Sequence, residues 1–159
     1  MRVARIIGLA VAGALLTLGS AGADAQKRQH PYFASISASE AMMRTGPGRN
    51  FPAKWRYRRS DLPIKVIESH KDWRKVEDPQ GEQGWILGNL LSDTRTAIVT
   101  GTVAEMLAGP RFGTKILWRA APGVVGRISK CARGWCLFDV RGRAGYVEAN
   151  RLWGTDAGG

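Results

Sequence analysis

The stretch Lys54-Trp55-Arg56-Tyr57-Arg58-Arg59 sets four cations and two aromatic rings in six consecutive residues. Two kinds of chemistry use such a set. Rings and cations that converge on one ligand make a platform for single-stranded nucleic acid, with bases on the rings and phosphates on the cations. Rings and cations that alternate along a β-strand diverge to opposite faces. That second arrangement puts Trp55 and Tyr57 toward a core or cleft floor, and Lys54, Arg56, Arg58 and the following Arg59 on a basic surface. Other reactive groups are few. Cys131 and Cys136 are the only cysteines, His30 and His70 the only histidines. Cys-x4-Cys without a neighbouring His is a poor zinc set. No nucleophile–base pair or metal set of a hydrolase stands out, so no catalytic residue, metal or cofactor is expected. Glu77, Asp78 and Glu82 flank a turn and read as solvated charges. Gly109-Pro110-Arg111-Phe112-Gly113-Thr114-Lys115 approaches a phosphate loop, but it is one residue short and its Lys and Thr are reversed.

The first residues say where these groups act. A positive start at Arg2 and Arg5, an apolar run over residues 6–18 and the small-x-small pattern Ala23-Asp24-Ala25 describe a secretory signal peptide, cleaved after residue 25. Thirteen apolar residues fall short of the roughly 20 a spanning helix needs, so no transmembrane segment is expected in the mature form. Export makes the chain periplasmic or secreted. An oxidising compartment favours a structural disulfide between Cys131 and Cys136 over metal binding or catalysis. Export also changes the meaning of the formal charge of +11. A basic protein seeks polyanions, and in the envelope these are anionic lipid, lipopolysaccharide phosphates and peptidoglycan carboxylates. Nucleic acid becomes an unlikely partner.

The elements that position these residues repeat. Ala41-x-Met43-x-x-Gly46-Pro47 recurs 63 residues later as Ala104-x-Met106-x-x-Gly109-Pro110. Trp73-x-x-Val76 meets Trp135-x-x-Phe138 at an offset of 62, and Gly84-Trp85-Ile86 meets Gly145-Tyr146-Val147 at 61. The drift requires two single-residue deletions, which belong in turns. Each repeat reads as short β-branched or aromatic strands broken by turn residues, with no helical period sustained over three turns. An all-β pair of small antiparallel barrels follows, over residues 33–92 and 97–154. Domains this small bury little surface. The bulk of Trp55, Tyr57, Trp73 and Trp85 in the first, and the disulfide in the second, is expected to compensate, and the short connection at Ser92-Asp93-Thr94-Arg95-Thr96 predicts barrels packed together.

With the repeat in view, Gly46-Pro47-Gly48, Trp55, Leu62-Pro63-Ile64, Asp72-Trp73-Arg74 and Gly84-Trp85-Ile86 resemble a bacterial SH3-like (Src-homology-3-like) domain. The second unit, with Pro122-Gly123-Val124-Val125-Gly126, Cys131-x4-Cys136 and Leu152-Trp153-Gly154, is similar to the paired repeat of exported tandem SH3-like proteins of Gram-negative bacteria. The resemblance implies a five-stranded, partly open barrel that binds cell wall or a peptide and catalyses nothing. It also implies a cleft beside the first long loop. The candidates for it are Arg44, Trp55, Tyr57 and Trp73 in the first unit and Trp118, Arg119, Trp135 and Tyr146 in the second. Each of these rings has an alternative place in the core, and Trp85 and Tyr146, which follow glycines, read most readily as structural. The expected function is non-catalytic recognition of peptidoglycan or of a peptide segment of an envelope protein. The alternative is an assembly scaffold or a basic-surface binder of envelope polyanions such as anionic lipid or lipopolysaccharide.

Overall fold

Runs of Val, Ile, Trp and Tyr too short for helices, punctuated by Gly, Pro and Asp, dictate strands and tight turns. A computed structural model describes residues 28–156, so the expected signal peptide lies outside the described residues. The first unit comprises β1 (Tyr32–Ile36), β2 (Ala41–Arg44), β3 (Ala53–Tyr57), β4 (Pro63–His70), β5 (Trp73–Glu77), β6 (Gln83–Leu87) and β7 (Leu91–Ser92). The second comprises β8 (Thr96–Val99), β9 (Ala104–Leu107), β10 (Ile116–Ala120), β11 (Val125–Ala132), β12 (Trp135–Val140), β13 (Arg143–Glu148) and β14 (Leu152–Trp153). The antiparallel sheet orders are β3-β2-β6-β5-β4-β1-β7 and β10-β9-β13-β12-β11-β8-β14, so each strand of the second takes the place of the strand seven earlier. The fold is two tandem SH3-like barrels. Each sheet has seven strands rather than five, because β1 and the two-residue β7 pair along its far edge. Both deletions of the repeat fall between strands, in the loop after β3 and in the turn after β5.

The cores are aliphatic. Ala34, Ile36, Ala41, Met43, Ile64, Val66, Val76 and Ile86 form the first, with Tyr57 as its one ring. Phe138 is the one ring of the second, among residues such as Val99, Met106, Ile128 and Val147. None of the six tryptophans belongs to either cluster. The expected tryptophan bulk inside the first barrel is therefore absent, and the reason lies in two glycines. A Cβ on Gly84 would stand 2.4 Å from Met43 Cγ, and one on Gly145 would stand 2.9 Å from the Met106 carbonyl carbon. The glycines face inward against methionine, so the rings that follow them, Trp85 and Tyr146, face outward. These two are half-buried on the outer face, not core. Trp55 also departs from expectation, being 57% exposed. It sits on the edge strand β3 opposite Met43, and the methionine fills the interior that the indole would have occupied. Trp118 repeats this on β10 opposite Met106.

The two cores reach the same volume differently. Ile64 and Val76 in the first correspond to Gly126 and Phe138 in the second. A Cβ on Gly126 would lie 2.8 Å from the Phe138 ring, so the larger ring occupies space the missing side chain vacates. The second barrel also carries the disulfide Cys131–Cys136, Cα–Cα 4.0 Å, across the β11–β12 hairpin. Closing so short a loop contributes about 2 kcal/mol in the chain-entropy account. Ser69 and Arg74 face each other at the matching place in the first barrel.

That barrel has its own tie. Tyr57 donates its hydroxyl to Asp78 Oδ2 at 2.9 Å, and Asp78 Oδ1 accepts the Gln80 and Glu82 N–H groups, each at 2.9 Å. Asp78 is thus buried and fully partnered rather than a solvated charge, because the turn after β5 folds its backbone donors onto the carboxylate. Burial first, then the Asp78 carboxylate, push the Tyr57 phenol well above its usual value. The barrels meet through the Phe33 and Trp153 rings, edge-on at 5.2 Å, and through Arg59 Nη1 donating to the Gly123 carbonyl at 3.0 Å.

Two stability predictions follow from these contacts. Gly145→Ala should cost roughly 1–3 kcal/mol by overpacking against the Met106 backbone, read as a lower urea midpoint at unchanged m-value. Tyr57→Phe leaves Asp78 short of a donor and should cost about 1–3 kcal/mol at pH 7. Its pH signature has a definite sign. Unfolded tyrosine ionises near about pH 10 while folded Tyr57 stays neutral, so its contribution is intact below that pH and erodes above it. Urea melts from pH 9 to 11 should show a shallower alkaline loss in Tyr57→Phe than in the parent; equal slopes would refute the link.

Candidate ligand-binding surfaces

Register decides which side chains share a face. On β5 and β6, Trp73 pairs with Leu87 and Lys75 with Trp85, and Arg44 on β2 pairs with Trp85. These positions alternate with buried Val76, Gly84 and Ile86, so Arg44, Trp73, Lys75, Trp85 and Leu87 lie together on the outer face of the first sheet. Trp73 and Trp85 are diagonal neighbours, a spacing that large rings can bridge. The second sheet repeats the face with Trp135 opposite Glu148, Leu137 opposite Tyr146, and Tyr146 opposite Leu107.

Loops frame each face. In the first unit Arg44 Nη1 donates to the Phe51 carbonyl at 2.8 Å and anchors loop 45–52 to β2. The Phe51 ring lies where a Cβ of Gly46 would be, 2.3 Å from its Cδ1. Trp73 borders a cleft of about 550 Å³ walled by Arg49, Asp72 and Asn89, and His70 meets Trp85 edge-on at 6.4 Å. In the second unit Phe112, 73% exposed, leans edge-on against Trp135 at 5.0 Å. Phe112 comes from the glycine-rich loop 109–115. There the Thr114 hydroxyl is used on the loop's own Gly109 and Arg111 carbonyls, which is the behaviour of a structural turn.

The structure brings together Arg44 with Trp73, and Trp135 with Tyr146. It does not bring Trp55 and Tyr57 to them: Tyr57 is buried in the core, and Trp55 occupies the sheet edge on the Met43 side. Trp118 has the equivalent edge place, with the Arg143 guanidinium 5.3 Å from its ring centre. Arg119 lies beside Glu105 at 3.4 Å. The row of cations on β3 and beyond is partly paired. Lys54 meets Glu82 at 2.8 Å, Arg56 and Arg58 each approach Glu40 at 3.7 Å, and Arg59 crosses to the other barrel. Sequence reasoning missed Phe112 and the outward aim of Trp85. The signal for Trp85 was present in its preceding glycine, which marks the inward side. Among the described residues no three His, Cys, Asp or Glu side chains could hold a metal ion, and no helix is long and apolar enough to cross a membrane.

The family model described as the bacterial SH3 domain matches the chain twice, over residues 37–93 and 101–154. No curated protein matches it. Among solved structures, NlpC2 from Trichomonas vaginalis is similar over 80% of this chain and 49% of its own, at 16% identity and a TM-score of 0.36. NlpC1 from the same organism is similar over 79% and 46%, again at 16% identity and 0.36. An NLPC/P60 family protein from Bacillus cereus is similar over 76% and 55%, at 13% identity and 0.34. The chain spans about half the length of these structures.

The placement of the rings yields a direct check. Trp135→Ala should leave the fold nearly untouched, within about 1 kcal/mol, whereas Ile86→Ala should cost about 2–5 kcal/mol. Chemical denaturation of both variants measures the contrast; comparable losses would return Trp135 to a core role.

Proposed function

The chain belongs to the bacterial SH3 domain family, and from that premise we propose that it is a non-catalytic binding module of the cell envelope. It takes peptidoglycan, or a peptide segment of an envelope protein, on the outer aromatic faces of its barrels. The observation that carries this reading is that none of the six tryptophans lies in a core cluster. Large rings left outside at equivalent positions of both repeats offer apolar area together with polar partners, here Arg44, Lys75 and Glu148, and this combination suits sugar rings and peptide side chains. The cation row on β3 is less suited to an extended polyanion, since Lys54, Arg56 and Arg58 have carboxylates beside them. The apolar leader of residues 1–25 supports a periplasmic or secreted location.

The test is retention of the protein on intact sacculi, lipopolysaccharide and DNA, at low and at physiological salt. Binding through aromatic faces predicts retention on sacculi that survives physiological salt, because ring contacts are not screened as charge contacts are. Trp73→Ala/Trp135→Ala should reduce it about tenfold or more. Absence of retention on sacculi at either salt would sink the cell-wall reading. Retention only on lipopolysaccharide, lost as salt rises, would favour the polyanion reading instead.

A further inference from the structure

Where the barrels face each other, four guanidinium groups line one cleft of about 530 Å³. Arg58 and Arg59 come from the loop after β3, Arg127 from β11 and Arg141 from the turn after β12. Two carboxylates, Asp61 and Asp139, share the lining, and Asp139 Oδ1 is already engaged by the Gly142 N–H at 2.6 Å. Among the described residues Arg127 and Arg141 make no ion pair. Arg59 is held in place across the interface by its bond to Gly123. Like charges brought face to face by two separately folded barrels repel, and the lining carries two positive charges in excess, of which Arg58 is offset in part by Glu40 at 3.7 Å. An anion would balance the remainder, which centres on Arg59, Arg127 and Arg141.

The backbone adds a second observation. Arg141 and Asp61, one from each barrel, both adopt left-handed conformations, at φ 53° and 62°. Arg141-Gly142 forms the two-residue β12–β13 turn, with φ positive at both positions, where Asn-Gly would sit at lower cost. Arg133-Gly134 has the same pair of positive φ values at the β11–β12 turn, so the conformation belongs to the hairpin turn, and in Arg141 it places the guanidinium in the cleft lining.

We propose that this inter-barrel cleft binds a phosphoryl group carrying two or more negative charges, a phosphomonoester or a pyrophosphate, bridging the two barrels. Guanidinium forks match phosphoryl oxygens in pairs, and a phosphomonoester carries close to two negative charges where one carboxylate carries one. The site is separate from the aromatic faces and does not depend on their ligand.

The experiment is calorimetric titration with inorganic pyrophosphate at physiological salt. Saturable one-to-one binding is expected, with a rise in Tm. Arg127→Ala/Arg141→Ala should weaken it about tenfold or more, whereas Lys54→Ala/Arg56→Ala, which removes the same charge outside the cleft, should change it less than about threefold. Arg141→Gly relieves the turn, so it should keep or raise Tm and still lose affinity, which separates lost binding from lost fold. Equal weakening by the two double variants, or no saturable binding of pyrophosphate or of vesicles, overturns the proposal. Phosphatidylcholine vesicles containing phosphatidic acid distinguish the source: retention displaced by pyrophosphate assigns a lipid-borne phosphate, and pyrophosphate binding without retention assigns a soluble one.

Discussion

The interior of each barrel is closed by one contact, a glycine on the sixth strand of the sheet pressed against a methionine on the second. Gly84 against Met43 and Gly145 against Met106 leave no room for even a methyl group. Side chains in an interior this narrow must be aliphatic or, once per barrel, a single ring. Because strand side chains alternate, an inward glycine obliges its neighbours to face outward, and those neighbours are Trp85 and Tyr146. The same contact explains Trp55 and Trp118, since the methionines already fill the space opposite them. The outward placement of Trp85 and Tyr146 therefore follows from how closely two strands approach.

A barrel of this size has little core with which to offset chain entropy, and the two copies meet the difficulty by different means. The first ties its β5–β6 turn to β3 through Tyr57 and Asp78. The second has Ala120 at the place of Tyr57 and Val140 at that of Asp78, so that link is lost, and a disulfide crosses the neighbouring hairpin instead. Duplication preserved the sheet order and the glycine–methionine contact while these secondary ties diverged. What both copies retain is what the fold requires.

The repeat, the placement of its deletions in turns and the disulfide were legible in the sequence because each rests on local signals or on self-comparison. The facing of side chains was legible only in part. Alternation divides a strand into two faces without saying which is covered, and that depends on partners distant in the chain. On β3, an edge strand, the period-2 reading of Trp55 and Tyr57 was geometrically sound, yet only Tyr57 reaches the core. Asp78 read as a solvated turn residue because its partner stands 21 positions away. Arg58 and Arg59 read as part of a basic surface, but their meeting with Arg127 and Arg141 was invisible for the same reason, because the two repeats contribute them and no local pattern encodes their relative placement.

The duplication itself bears on the kind of ligand. Two equivalent outer faces held together through Phe33–Trp153 and Arg59–Gly123 stand at a set separation. A second contact made at set separation adds affinity only if the ligand presents its recognised group again at a matching interval. A polymer of repeating units does so along its whole length, and a short peptide does so only by coincidence. Each face alone is small and interrupted by charge at Lys75 or Glu148, so a weak single contact is expected of it. Peptidoglycan, among the ligands considered, is the one whose repeating chemistry would turn two such weak faces into useful binding, and this is the physical ground for preferring it to an isolated peptide segment.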